Sequence, residues 1–206
     1  MSGQPSNGSS SRPPEDAPSE ADVIYDWNRR GPTMPPHRRV VEFHDETLRD
    51  GLQCPSVTDP AIEAKLEIVR LLDQSGVHTI DIGLPGAGPR AVADVTAISE
   101  LIRDERLSIK PTAAARTHPN DIRPIIDICE KTGVPLEVMA FLGASPIRLY
   151  AEGWDEALLE KRTRTAIKMC TDAGLVSNFV TEDTTRSQPH TLHRLFRAAI
   201  EEDDLF

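Results

Sequence analysis

The stretch that decides the fold runs from His78 to Ile102. It begins His78-Thr79-Ile80-Asp81-Ile82-Gly83, a short apolar run, and passes into Leu84-Pro85-Gly86-Ala87-Gly88-Pro89, a loop rich in glycine and proline. Val92, Val95, Ile98, Leu101 and Ile102 then recur at helical spacing. An apolar run too short for a helix, a loop and an amphipathic helix make one βα unit. The same order repeats on both sides of it. The other strand candidates are Val40–His44, Ser108–Ala113, Leu136–Phe141 and Val176–Thr181. Asp59-Pro60 is expected to cap a helix carrying Ile62, Leu66, Val69 and Leu72, which Gly76 stops. Asn120 or Asp121 opens a helix with Ile122, Ile125, Ile126 and Cys129, closed by Gly133. Leu158, Ala166, Ile167, Met169 and Cys170 mark the next, closed by Gly174, and a last helix spans about His190 to Ile200.

Regular βα alternation implies an α/β fold with a parallel sheet and right-handed crossovers. Two layouts meet that description, an open doubly wound sheet and a closed (β/α)8 TIM barrel. A nucleotide-binding sheet usually carries a glycine-rich phosphate loop after its first strand, and Asp45-Glu46-Thr47-Leu48-Arg49-Asp50-Gly51 is not one. Polar residues cluster instead after several strands, as at the catalytic rim of a barrel. The barrel is therefore expected, but incomplete: about five βα units stand where a barrel has eight in about 250 residues. Residues 1–21 are polar and read as a disordered tail, 22–37 as an extended arm, and 38–206 as a partial TIM-barrel catalytic domain.

Composition narrows the function classes. The 206 residues hold 23 Lys plus Arg against 33 Asp plus Glu, a formal net charge of −10. Phosphate backbones need a positive surface, so a general nucleic-acid binder is not expected. No apolar stretch approaches the roughly 20 residues that span a bilayer. No secretory signal stands at the polar N-terminus, and Cys54, Cys129 and Cys170 are too scattered for a disulfide framework. A cytoplasmic protein with no membrane partner is the expectation.

The densest polar group is His44-Asp45-Glu46-Thr47-Leu48-Arg49-Asp50-Gly51-Leu52-Gln53-Cys54. Such a set beside a buried strand either binds something, a divalent cation or a substrate carboxylate, or forms a solvated loop with an internal Asp–Arg ion pair. Four segments at successive strand ends then point one way. They are Asp45-x-Thr-Leu-Arg-Asp-Gly-x-Gln53, Asp81-Ile-Gly-Leu-Pro-Gly-Ala-Gly-Pro89, Ala115-Arg116 with Asn120-Asp121-Ile122, and Thr181-Glu182-Asp183-Thr-Thr-Arg186-Ser187. Together they resemble the metal-dependent TIM-barrel lyase and synthase superfamily with its pyruvate carboxyltransferase-type domain. That group includes 2-isopropylmalate, homocitrate and citramalate synthases and hydroxymethylglutaryl-CoA lyase.

The resemblance implies an acyltransferase that condenses acetyl-CoA with a 2-oxo acid in a Claisen-type reaction, as in leucine biosynthesis. Asp50 would ligate a divalent metal, Mg²⁺, Mn²⁺ or Zn²⁺. Arg49 would stabilise the enolate or keto oxygen, and Glu182 would sit in the substrate pocket or the acid/base relay. Gln53 would orient substrate or metal-bound water, Asp81 would bind substrate, and Arg116 and Arg186 would hold carboxylates or brace the acidic cluster. A homodimer is implied for a full-length protein. The lyase or aldolase direction stays open, since Leu52 is lyase-like, as does a non-catalytic truncated paralogue that binds or regulates a partner.

The chain also departs from the pattern. Asp81 replaces the Glu usual in synthases, and Gly143-Ala144-Ser145-Pro146-Ile147-Arg148 stands where they tend to carry a Ser/Thr-Ser-Asp-x-His segment. The His-x-His that completes the family's metal site is not present, so the chain is expected to be a fragment of an enzyme. His190 and His193, at i, i+3 on a helix, read as surface residues. His44 and Cys54 read as rim residues, Cys129 and Cys170 as core, His118 as substrate contact or cap, and Lys161, Arg162 and Arg164 as a solvated face.

Overall fold

The computed structural model describes residues 41–203, so the expected tail and arm lie outside the described residues. Five strands form one parallel sheet in the order β1-β2-β3-β4-β5. They are β1 (His44–Asp45), β2 (Thr79–Asp81), β3 (Lys110–Arg116), β4 (Glu137–Gly143) and β5 (Ser177–Glu182). The helices are α1 (Ile62–Gln74), α2 (Pro89–Glu105), α3 (Pro119–Thr132), α4 (Pro146–Glu152), α5 (Glu156–Asp172) and α6 (Pro189–Glu202). Spatial order follows chain order without reversal, and α1 packs on α2, α2 on α3, α3 on α5 and α5 on α6. A doubly wound sheet must reverse its strand order at a switch point. The sheet is instead an incomplete TIM barrel, wound in one direction.

The core lies between sheet and helices. Ile80 and Val138 from the strands, with Ile109 and Leu136 just ahead of β3 and β4, meet Val69, Val95, Ile98, Ile122, Ile125 and Ile167 from the helices, each 2% exposed or less. The glycines expected to stop helices do so: Gly76, Gly133 and Gly174 have φ of +80°, +70° and +68° just ahead of β2, β4 and β5. On α5 the buried leucine is Leu159 rather than Leu158.

Three local readings need correction. Asp59 does not cap α1, whose N-cap is Ala61 with no side-chain hydrogen bond. Its carboxylate is drawn instead to Lys65 Nζ and Arg90 Nη2, each at 2.7 Å, which leaves Pro60 ahead of the helix. The third strand begins later than Ser108 because Asp73 Oδ1 accepts from Ser108 N, Ser108 Oγ and Ile109 N at 2.8–2.9 Å. It then runs on through Ala113, Ala114 and Ala115, poor strand formers whose burial overrides their propensity. Helix α4 was not anticipated, although Ser145 caps it by accepting from Arg148 N at 3.3 Å and Gly153 ends it at φ +64°.

Candidate active site

Parallel strands in sequential order put all their C-terminal ends on one rim. Asp45, Asp81, Arg116, Gly143 and Glu182 are the last residues of β1 to β5. Register ties neighbours directly: Asp81 lies beside Thr112, Arg116 beside Phe141 and Gly143 beside Glu182. The polar residues expected to act together thus share a rim, as the loops of a barrel require.

The loop after β1 is held by its own side chains. Asp45 accepts from Thr47 N at 2.9 Å and Thr47 Oγ1 at 3.0 Å, which turns the chain. His44 bridges Thr79 Oγ1 (2.7 Å) and Glu46 Oε1 (3.0 Å), so it is a rim hydrogen-bonding residue as expected. Arg49 is tucked inward: its guanidinium carbon lies 5.2 Å from the centroid of the Phe141 ring. Its Nη1 donates to Asp50 Oδ1 at 2.6 Å, the Asp–Arg pair of the solvated-loop alternative, and the Asp50 carboxylate is 60% exposed. Gln53 and Cys54 are exposed, and Gln53 lines, with Arg49, a cavity of about 430 Å³ toward Lys65 and Arg90.

Asp81 is buried, with Oδ1 accepting from Gly83 N at 3.0 Å. Burial pushes its carboxyl up to about 7; the Gly83 N–H opposes this, Glu46 adds to it and Arg49 works against it. Near neutral pH this group exchanges a proton, unlike an ordinary aspartate.

A second cavity of about 470 Å³ opens over the ends of β3, β4 and β5. Arg116 and Glu182 both line it, with Phe141, which carries Arg49, in its wall. Arg116 is committed to the buried Asp121 through Nε at 2.6 Å and Nη2 at 2.9 Å. That pairing holds the Arg116 guanidinium's pKa above its ordinary value. His118 is the cap of α3, accepting from Asn120 N at 3.1 Å, although it too lines the cavity. Arg186 is paired with Asp183 through Nε and is absent from the cavity wall.

The sequence reading missed Arg148, Trp154 and Arg162 in that wall. The Ser145-Pro146 cap and Gly153 stop were the signals that a helix turns Arg148 toward the rim. Arg162 is not simply part of a solvated face, since it stacks 4.3 Å from the Trp154 ring centroid. Nor is Arg164, which ties α5 to α6 through Glu201 at 2.7 Å and Glu202 at 3.0 Å. His190 pairs with Glu156 at 3.1 Å on the outer helices. Cys170 is core, its thiol pushed up to about 12 by burial.

The implied divalent metal does not find a complete site. Among the described residues no group of three His, Cys, Asp or Glu could hold an ion, and the Asp50 carboxylate already takes a hydrogen bond from Arg49. One carboxylate falls short of the three or so protein ligands a catalytic ion needs. No helix among the described residues is long and apolar enough to cross a membrane. Four buried side-chain atoms have no hydrogen-bond partner among the described residues: Glu46 Oε2, Arg49 Nε, Thr112 Oγ1 and Arg148 Nε. Glu46, Arg49 and Arg148 belong to loops and helices that follow strand C-termini, and Thr112 lies beside Asp81. Orphaned buried donors and acceptors are costly, and their concentration here marks where a polar ligand would be stabilised.

Comparison with known proteins gives the family. The HMGL-like family profile matches residues 40–203. A 2-isopropylmalate synthase from Halothermothrix orenii is 34% identical over 161 residues, 78% of this chain and 30% of the relative. Homocitrate synthase AksA from Methanothermobacter thermautotrophicus is 33% identical over 162 residues, 77% of this chain and 38% of the relative. A 2-isopropylmalate synthase from Lactococcus lactis is 29% identical over 166 residues, 79% of this chain and 31% of the relative. The chain therefore spans about a third of the length of these relatives.

Proposed function

The chain belongs to the HMGL-like family, and from that premise we propose that its rim binds a 2-oxo acid and serves its condensation with the acetyl group of acetyl-CoA. The observation that carries this reading is Arg49. Its guanidinium lies over Phe141, a wall residue of the cavity that Arg116 and Glu182 line, while Arg49 itself lines the other cavity with Gln53; its buried Nε has no acceptor among the described residues.

In the condensation, a base takes a proton from the methyl group of the thioester. The resulting enolate carbon attacks the keto carbon of the 2-oxo acid, a C–C bond forms, and the keto oxygen takes up a proton. Water then cleaves the thioester. Negative charge therefore builds on the enolate oxygen and then on the former keto oxygen. Arg49, held against a ring and short of one acceptor, is placed to meet that charge without reorganising. Glu182, at the end of β5 and half-exposed to the cavity, is the side chain assigned to proton exchange. Asp81, titrating near neutrality, supplies a hydrogen-bond donor when protonated. The Arg116–Asp121 pair braces the wall. Asp50 is assigned as a carboxylate contributor to the rim.

The test is titration of the full 206-residue chain with pyruvate, 2-oxoisovalerate and 2-oxoglutarate, followed by a thiol-release assay with acetyl-CoA. Saturable binding of a 2-oxo acid that Arg49→Gln weakens at least tenfold is the expected result. Cleavage of hydroxymethylglutaryl-CoA without 2-oxo acid binding would reassign the chain to the lyase direction. Absence of binding to any of these compounds would overturn the reading.

A further inference from the structure

Two guanidinium groups in the 470 Å³ cavity have donors to spare. Arg148 Nη2 stands 3.7 Å from Glu182 Oε2 and 3.9 Å from Glu152 Oε1, beyond hydrogen-bond reach of both. Its Nε is buried without a partner among the described residues. Arg162 rests on Trp154 at 4.3 Å and has no acid partner among the described residues. Arg116, the third cation of the wall, is already spent on Asp121. The fold keeps Arg148 where it is: a Cβ on Gly143 would lie 2.6 Å from Arg148 Nε, so the bare end of β4 lets the guanidinium lie against the strand.

Resting on the reading above, we infer that Arg148, assisted by Arg162, binds a second carboxylate of the substrate, so that the 2-oxo acid is a dicarboxylic acid. A planar carboxylate can accept from Nε and a terminal nitrogen of one guanidinium together, which removes the orphaned donor. An aliphatic side chain in the same place would leave it orphaned and would meet charged groups on several sides. Glu152 and Glu182 oppose an incoming anion, but both are more than 40% exposed and screened by water, whereas the Nε is not. In sequence, Arg148 ends the Gly143–Arg148 stretch that stands where synthases tend to carry a Ser/Thr-Ser-Asp-x-His segment. A fixed positive charge there changes what the loop can hold.

The same chemistry could serve a phosphate of coenzyme A, and calorimetry on the full chain separates the two. The probes are 2-oxoglutarate, 2-oxoisovalerate and coenzyme A, each titrated into wild type, Arg148→Gln, Arg148→Lys and Arg162→Gln. The expected result is 2-oxoglutarate binding at least tenfold tighter than 2-oxoisovalerate. Arg148→Gln should erase that preference by weakening 2-oxoglutarate at least tenfold, and a circular dichroism melt matching wild type shows that the variant is folded. Arg148→Lys should retain part of it, and Arg162→Gln should reduce it less. Equal or tighter binding of 2-oxoisovalerate by wild type overturns the inference and leaves the broader function standing. So does an Arg148→Gln variant that weakens coenzyme A alone. If no 2-oxo acid binds at all, both fall together.

Discussion

Asp81→Asn should stabilise the chain in alkaline solution and do nothing in acid. Unfolded, an aspartate titrates at about 3.9; folded, burial has pushed Asp81 up to about 7. Between those values the folded chain holds a proton that the unfolded chain has lost. The preference for the folded state is therefore complete below about pH 4 and is lost as pH rises through about 7. Roughly 3 units at 1.36 kcal/mol each give about 4 kcal/mol as the full penalty of ionising this buried carboxyl. The amide of asparagine keeps an acceptor for Gly83 N–H and cannot ionise. At about pH 8.5 the variant should gain about 2–4 kcal/mol, which for a unit of this size raises the melting temperature by roughly 5–15 °C. At about pH 5 the gain should shrink to roughly 1.5 kcal/mol, and below about pH 4 the two proteins should melt together. Circular dichroism melts at both values make the comparison, and the difference cancels the general repulsion of an acidic chain. Equal melting temperatures at alkaline pH, or the same gain at both, would refute the assignment of a destabilising charge to Asp81.

Other perturbations probe the frame around the rim. Lys65 is 5% exposed and pairs with Asp59 and Asp94 at 2.7 Å each; burial works against its charge, but those hydrogen bonds outweigh it and raise its pKa. Lys65→Met leaves Asp94 with Arg90 Nε at 4.0 Å and Asp59 with Arg90 alone, and should cost about 1–3 kcal/mol in urea unfolding. A Cβ on Gly86 would fall 2.5 Å from Asp121 Cγ. Gly86→Ala should therefore cost about 1–3 kcal/mol and, by displacing the acid that holds Arg116, weaken 2-oxo acid binding as well; a loss of stability with unchanged binding would show that the Arg116–Asp121 pair is only structural.

Much of the frame was legible because it rests on local signals. Gly76, Gly133 and Gly174 stop helices by adopting a left-handed conformation that disfavours other residues, and the apolar stripes of α2 and α3 face the sheet as their spacing implies. The errors came where a distant partner outbid a local one. Asp59 has the form of a cap but is taken by Lys65 and Arg90, and Ser108 looks like strand but is held by Asp73. The alanines of β3 carry almost no strand signal of their own. At the site, motif spacing brought Arg49, Asp81, Arg116 and Glu182 to one rim. It could not reveal that Arg116 is committed to Asp121, that Arg49 lies over Phe141, or that a seven-residue helix turns Arg148 into the same cavity. Those facts depend on which loops meet across the sheet.

The central claim is that the C-terminal ends of the strands form the binding face. An amide chemical-shift map of the isotopically labelled chain during 2-oxoglutarate titration tests it most directly. The account predicts that the perturbed amides gather at Glu46–Gln53, Ile82–Leu84, Arg116–His118, Gly143–Arg148 and Glu182–Thr184. Perturbations gathered instead at Gly76–His78, Leu107–Ile109, Gly133–Leu136 and Gly174–Val176, the opposite ends of the same strands, would contradict it.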